Sequence, residues 1–199
     1  EVITGFGRLG EWFGSQAFGI APDVMTLAKG ISSGYQPISA VALGPRMGDA
    51  LATANEELVH GFTWSGHPVA CAVSLKNLEI IEREKLVDRV RDDIGPYFQA
   101  KVGELRSHPL VGEVRGRGLL AAIELVKDKG KRTFFDRDMD VGTQCRNHCF
   151  ANGLVMRAIR DTMVLAPPMI VKREEVDEIV RIARRCFDLT AKDLGLPTG

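Results

Sequence analysis

Charge is distributed along this chain in a step, and the step limits what the chain can fold into. Residues 1–66 carry nine charged side chains and 11 of the 21 glycines, whereas residues 67–199 carry the other 43 charges. A stretch so poor in charge has little with which to face water. It reads as buried strands joined by glycine-rich turns. The remainder reads as amphipathic helices and half-exposed strands, so the fold class is α/β, with a change of character part-way along. Lys+Arg and Asp+Glu are 26 each, which argues against a basic nucleic-acid-binding surface. No apolar run reaches the ~18 residues of a membrane span, and no charged segment followed by an apolar one after Glu1 suggests a signal peptide. Four cysteines in 199 residues do not make a disulfide scaffold, so a reducing, cytoplasmic setting is expected.

The apolar runs Val24–Ala28 and Pro37–Leu43 predict strands buried on both faces, as in a parallel sheet beneath helices. Residues 29–36 form the loop between them. A helix is predicted from Pro68 to about Glu82 and another from Leu86 to Arg106, the second kinked at Gly95-Pro96. Two strands flank Gly116-Arg117-Gly118. A short helix runs from Gly142 to Asn152. Leu154–Met156 and Met163–Ala166 predict strands around the turn Arg160-Asp161, and Lys172–Lys192 predicts a closing helix. This last part reads as a small α+β domain with an antiparallel sheet.

Four stretches invite a chemical reading. Gly5-Phe6-Gly7-Arg8-Leu9-Gly10 matches G-x-G-x-x-G, but the next acid after Glu11 is Asp23, too near for a dinucleotide site, so a glycine-rich turn is the better reading. Lys29 ends an apolar run between Ala28 and Gly30. There it is either a lysine reaching out to water or a partly desolvated amine suited to Schiff-base chemistry. Cys145, His148 and Cys149 share a helix but lack the further ligands of a zinc site, so no metal is expected. Residues 60–67, His-Gly-Phe-Thr-Trp-Ser-Gly-His, offer N–H groups and hydroxyls before a helix start. Both an anion site and a plain helix cap fit them.

Five blocks appear in order: Glu-Val-Ile-Thr-Gly-Phe-Gly-Arg (1–8), Thr-Leu-Ala-Lys-Gly (26–30), His-Gly-Phe-Thr-Trp-Ser-Gly-His-Pro-Val-Ala (60–70), Val-Gly-Glu-Val-Arg-Gly-Arg-Gly (111–118) and Ala-Pro-Pro (166–168). In these the chain resembles the class III pyridoxal-phosphate aminotransferases across essentially its whole length. Residues 152–168 resemble the ω-amine:pyruvate and putrescine (polyamine):pyruvate branch.

The resemblance implies a fold-type I architecture. Residues 1–85 would be the C-terminal portion of the large pyridoxal-phosphate-binding domain, and residues 86–199 the connecting helix and small C-terminal α+β domain. It implies Lys29 as the catalytic, cofactor-bound lysine, Val2 against the cofactor ring, and Thr63 on the phosphate across a homodimer interface with Phe62 beside it. It further implies Arg157 and Trp64 as substrate-binding residues, the first for a carboxylate. The substrates would be an ω-amine or diamine and pyruvate; a 2-oxoglutarate-dependent transaminase or an aminomutase is the alternative. Val164 stands where a 2-oxoglutarate-using branch carries arginine, and Arg160 where glycine is common. The family's ring-nitrogen aspartate would precede Glu1, so the chain is expected to be the C-terminal part of a longer enzyme and inactive alone, a non-catalytic fragment as it stands.

Overall fold

The computed structural model describes residues 1–54 and 56–199. They form two compact units, Glu1–Arg91 and Asp92–Gly199.

The first unit begins with a run of turns over residues 2–9, with Phe6 and Gly7 at φ 61° and 95°. The Glu1 carboxylate organises it. It accepts hydrogen bonds from the Thr4 hydroxyl (2.6 Å) and from the N–H groups of Gly14 (2.8 Å) and Ser15 (2.7 Å), which open the short helix α1, Gly14–Ala17. Burial alone would raise its pKa, but these bonds hold the carboxyl down at about 2. Strands β1 (Val24–Leu27) and β2 (Ala40–Leu43) follow, then α2 (Pro45–Thr53), α3 (Pro68–Arg83) and α4 (Leu86–Arg89). Arg46 of α2 grips Asp23 at the foot of β1 with two parallel hydrogen bonds.

The two strands do not form the buried parallel arrangement expected of them. They pair with each other, antiparallel, from Val24↔Leu43 to Leu27↔Ala40. The residues described do not cover this two-stranded ribbon on both faces, so Val24, Val41 and Leu43 remain exposed. The second strand is also shorter than the apolar run that predicted it. Helix α2 has no counterpart in the sequence reading, although Pro45 after Gly44 is an ordinary first-turn signal.

The predicted kink near Gly95-Pro96 is a π-helical turn, Val90–Ile94, between α4 and α5 (Gly95–Gly103). Pro96 has no N–H to give to the preceding turn, and the helix widens there. The second unit is built on an antiparallel sheet of order β3-β4-β6-β5: Val111–Arg117, Leu120–Leu125, Thr162–Leu165 and Arg157–Ile159. One face carries the buried Ala121, Ile123, Leu125, Met163 and Leu165. Helices α5 and α6 (Val141–Ala151) pack with these strands, and α7 (Arg173–Asp193) packs with both helices. In α7 the buried Val176, Val180, Ala183, Phe187 and Ala191 recur every three or four residues, a stripe that faces the core.

Leu154–Met156 is not a strand; β5 starts at Arg157. Arg157 pairs with Val164, so continuing the ladder backwards would set Leu154 opposite Pro167, which has no N–H to donate. The three buried thiols Cys145, Cys149 and Cys186 pack as apolar filling between α6 and α7. The Cys145 contact and burial raise the Cys149 pKa, and burial pushes Cys186 up to about 12. His148 pairs instead with Asp193 at 2.7 Å.

Candidate functional site

Lys29 sits where β1 gives way to a single 3-10 turn, Lys29–Ile31. Its backbone is left-handed, φ 44°, and Ser33 four residues on is at φ 49°. Neither is glycine, and non-glycine residues held there carry strain of the kind that collects at functional positions. The Lys29 side chain is exposed and makes no ion pair or hydrogen bond among the described residues. Of the two readings left open for Lys29, the described residues show the side chain facing outward.

The turn at the chain's start lies against this loop. A Cβ on Gly30 would meet Phe6 Cβ at 3.2 Å and the Gly5 carbonyl at 3.4 Å, so the 1–7 turn and the Lys29 loop touch at a glycine. Val2, half-exposed, belongs to that turn. From the other side Asn77 of α3 reaches in. Its Nδ2 donates to the carbonyls of Gly30 (2.9 Å) and Ile31 (3.2 Å), and its Oδ1 accepts from the Ser33 hydroxyl (2.8 Å). The Ser32 hydroxyl closes the loop on the Gln36 carbonyl at 2.6 Å.

Phe62, Thr63 and Trp64 lie in an exposed, irregular approach to α3. Phe62 meets His60 edge-on, Trp64 tilts against His67, and the Phe62 N–H donates to the Ser65 hydroxyl at 3.1 Å. His67 caps α3, its Nδ1 accepting from the Ala70 N–H at 3.4 Å. The helix-cap reading of this stretch is thus realised. No hydrogen bond or ring contact ties Phe62, Thr63 or Trp64 to the Lys29 loop among the described residues.

Arg157 is in the second unit, the first residue of the edge strand β5. It stands on the sheet's open face, in a cross-strand row with Val164, Ala122 and Arg115. Arg115 is taken up by Glu113 (2.8 Å) and Glu124 (3.5 Å). Arg157 is exposed and makes no ion pair among the described residues. The turn after it is pinned: the Asp161 carboxylate accepts from the Gly142 N–H at 2.9 Å, at the start of α6.

A family model for class-III aminotransferases matches residues 1–187. The chain belongs to the class-III aminotransferase family. It is 51% identical over 191 residues to the putrescine–pyruvate aminotransferase of Pseudomonas aeruginosa, covering 96% of this chain and 41% of that protein. It is 42% identical to the diaminobutyrate–2-oxoglutarate transaminase of Halomonas elongata, over 94% of this chain and 41% of the relative. Among solved structures it resembles the ω-transaminase of Pseudomonas jessenii in complex with PMP: TM-score 0.91, 43% identity, 98% of this chain and 44% of that one. The class-III chain thus spans about two fifths of the length of the relatives it matches.

Class-III aminotransferases depend on pyridoxal phosphate and have the fold-type I architecture. The residues of this class-III chain fit such a group. A carbonyl-bearing cofactor needs a primary amine free to condense with it, and Lys29 is exposed, without an ionic partner among the described residues, and held on a fixed loop. Two features around the lysine escaped the sequence reading. Asn77 was hidden because it is one polar residue in a helix described by its apolar face. Glu1 was hidden because a cap across 13 residues leaves no short motif.

Proposed function

We propose that the protein carrying this chain is a pyridoxal-phosphate-dependent aminotransferase that moves an amino group from an ω-amine or diamine, putrescine being the type, to pyruvate. The observation that carries this reading is Lys29: an unpaired amine among the described residues, on left-handed backbone, anchored from α3 and lying beside the 1–7 turn, in a chain of this family. When bound, the cofactor supplies a carbonyl that takes up the amino group and an electron-withdrawing ring that makes the substrate C–H acidic.

The chain's own residues divide the remaining work. Lys29 would hold the cofactor through Nζ, and the same amine would hold and move the proton. Val2 packs on the ring. Thr63 donates its hydroxyl to the phosphate of a partner protomer, with Phe62 beside it, and Trp64 lines the substrate side. Arg157 pairs with the acceptor's carboxylate by two parallel hydrogen bonds and swings aside for an amine donor that lacks one. In this reading residues 1–85 are the end of the large cofactor-binding domain, and residues 86–199 are the connecting helix and small domain of a cytoplasmic homodimer. No helix among the described residues is long and apolar enough to cross a membrane.

A 2-oxoglutarate-dependent reaction is the second reading, supported by the Halomonas relative's name. Val164, cross-strand from Arg157, favours pyruvate, because 2-oxoglutarate brings a second carboxylate and Val164 offers it no charge.

Borohydride reduction of the full-length protein with its cofactor, followed by peptide mapping, is expected to place the adduct on Lys29. An adduct on another lysine ends the assignment. A panel of putrescine with pyruvate and with 2-oxoglutarate separates the two acceptors.

A further inference from the structure

We infer that Asn77 is the positioning residue for Lys29, acting through the backbone of the loop and not through the amine. The inference rests on the reading of Lys29 as the cofactor-binding lysine. The loop contains two non-glycine residues in the left-handed region, Lys29 and Ser33, with Gly34 at φ 79° beside them. Such residues carry backbone strain and persist only where their surroundings over-determine them. Here one side chain from α3 supplies much of that determination. It satisfies the two carbonyls directly after Lys29 and the hydroxyl of the second strained residue. The Ser32–Gln36 bond is internal to the loop and does not tie it to anything else.

The chemistry of the amide matters. The loop presents two acceptors and one donor, and only a group with both N–H and C=O answers all three. A carboxylate of the same shape would set an anion against the carbonyls of Gly30 and Ile31. It would also offer the exposed Lys29 ammonium a counter-charge, drawing the amine toward α3. An amide fixes the backbone and leaves the amine unpaired. Lys76, the neighbouring residue, pairs with Glu79 on the exposed side of α3 and serves as the control.

The test uses the full-length protein as wild type, Asn77→Ala, Asn77→Asp, Ser33→Ala and Lys76→Ala. Two readouts are taken. One is hydrogen–deuterium exchange over residues 29–36 in the cofactor-free protein. The other is the rate at which that protein regains its visible absorption band when pyridoxal phosphate is added. Asn77→Ala and Asn77→Asp are expected to speed exchange in this loop and slow band formation about tenfold or more, the worth of two hydrogen bonds. Ser33→Ala, which keeps both carbonyl bonds, falls between, and Lys76→Ala stays within about twofold of wild type. The near-isosteric Asn77→Asp carries the test if the alanine variant fails to fold. Rates within twofold of wild type for both Asn77 variants overturn the inference. So does exchange that rises equally along α3 and β1, because that marks a general structural role. Borohydride labelling of the wild type away from Lys29 overturns the cofactor reading and this inference together; labelling on Lys29 with unchanged Asn77 variants overturns this one alone.

Discussion

The two units of the chain are stabilised in different ways. Between residues 11 and 69 of the first, the only buried residues among those described are Gly14 and Ser32. That stretch is held by polar ties: Glu1 on the start of α1, Asp23 on Arg46, Asn77 on the Lys29 loop. The second unit has a continuous apolar core, with Phe98, Ile123, Leu125, Met163 and Phe187 all without solvent exposure beyond 2%. Directional ties hold a loop in a strained shape at little cost in bulk; an apolar core gives cohesion without such direction.

Core truncation is the strongest way to break this comparison. Phe187→Ala is expected to destabilise the second unit by about 4 kcal/mol, whereas Val41→Ala on the exposed ribbon stays within about 0.5 kcal/mol. Denaturant melts of the two variants decide it; equal losses would mean that the ribbon is as well packed as the core.

Arg157→Ala sharpens the contrast between scaffold and chemistry inside the second unit. With no ion pair to lose among the described residues, its thermal midpoint should not move. The KM for pyruvate should rise roughly 30–150-fold, the equivalent of about 2–3 kcal/mol for a charged pair, while the amine half-reaction is nearly unchanged. Single-turnover kinetics separate the halves, and equal damage to both would make Arg157 structural.

Gly142→Ala probes how that arginine's strand is held. A Cβ there would overlap the Arg160 carbonyl oxygen, side chain against backbone. We expect a loss of about 1–3 kcal/mol in a denaturant melt, with a disturbed β5–β6 turn.

Acid titration gives the smallest effect and separates the units by pH. His108 is fully buried, its Nδ1 accepting from the Leu110 N–H at 3.1 Å and its Nε2 meeting Asp188 at 3.1 Å. Burial lowers its pKa below the ordinary 6.5, against the pull of Asp188. The unfolded chain therefore binds the proton more readily, and the second unit loses stability as pH falls from about 6.5 toward the lowered value. Glu1 behaves as a depressed carboxylate. Its contribution is whole above about 4.5 and is lost as pH falls toward about 2. His108→Gln should flatten the upper part of the profile and leave the lower part in place.

Periodicity within single elements was legible in the sequence. Helices α3, α6 and α7 lie within one or two residues of their expected limits, and β3 and β4 form the expected pair of strands, with β3 running through Gly116-Arg117, because apolar spacing and local turn residues specify them without distant partners. The blocks around Lys29, Thr63 and Arg157 were legible as a family resemblance, and so was membership of the class. What depended on a partner far along the chain was not. Strands β1 and β2 were expected within a parallel sheet; that they pair with each other, antiparallel, was not legible because apolar runs do not say which strand lies beside them. Strand β5 was set three residues early because the reading had no Pro167 opposite Leu154 to stop the ladder. The hold of Asn77 on the Lys29 loop crosses more than 40 residues and has no periodic signature. Hydrophobic spacing is a local property of the chain, whereas hydrogen-bond partners, strain and exposure are properties of what folding brings together. The sequence by itself therefore determined most of the helices and the family, and pointed to the lysine; only the tertiary structure decided that this lysine sits on left-handed backbone, in a loop held by one distant amide.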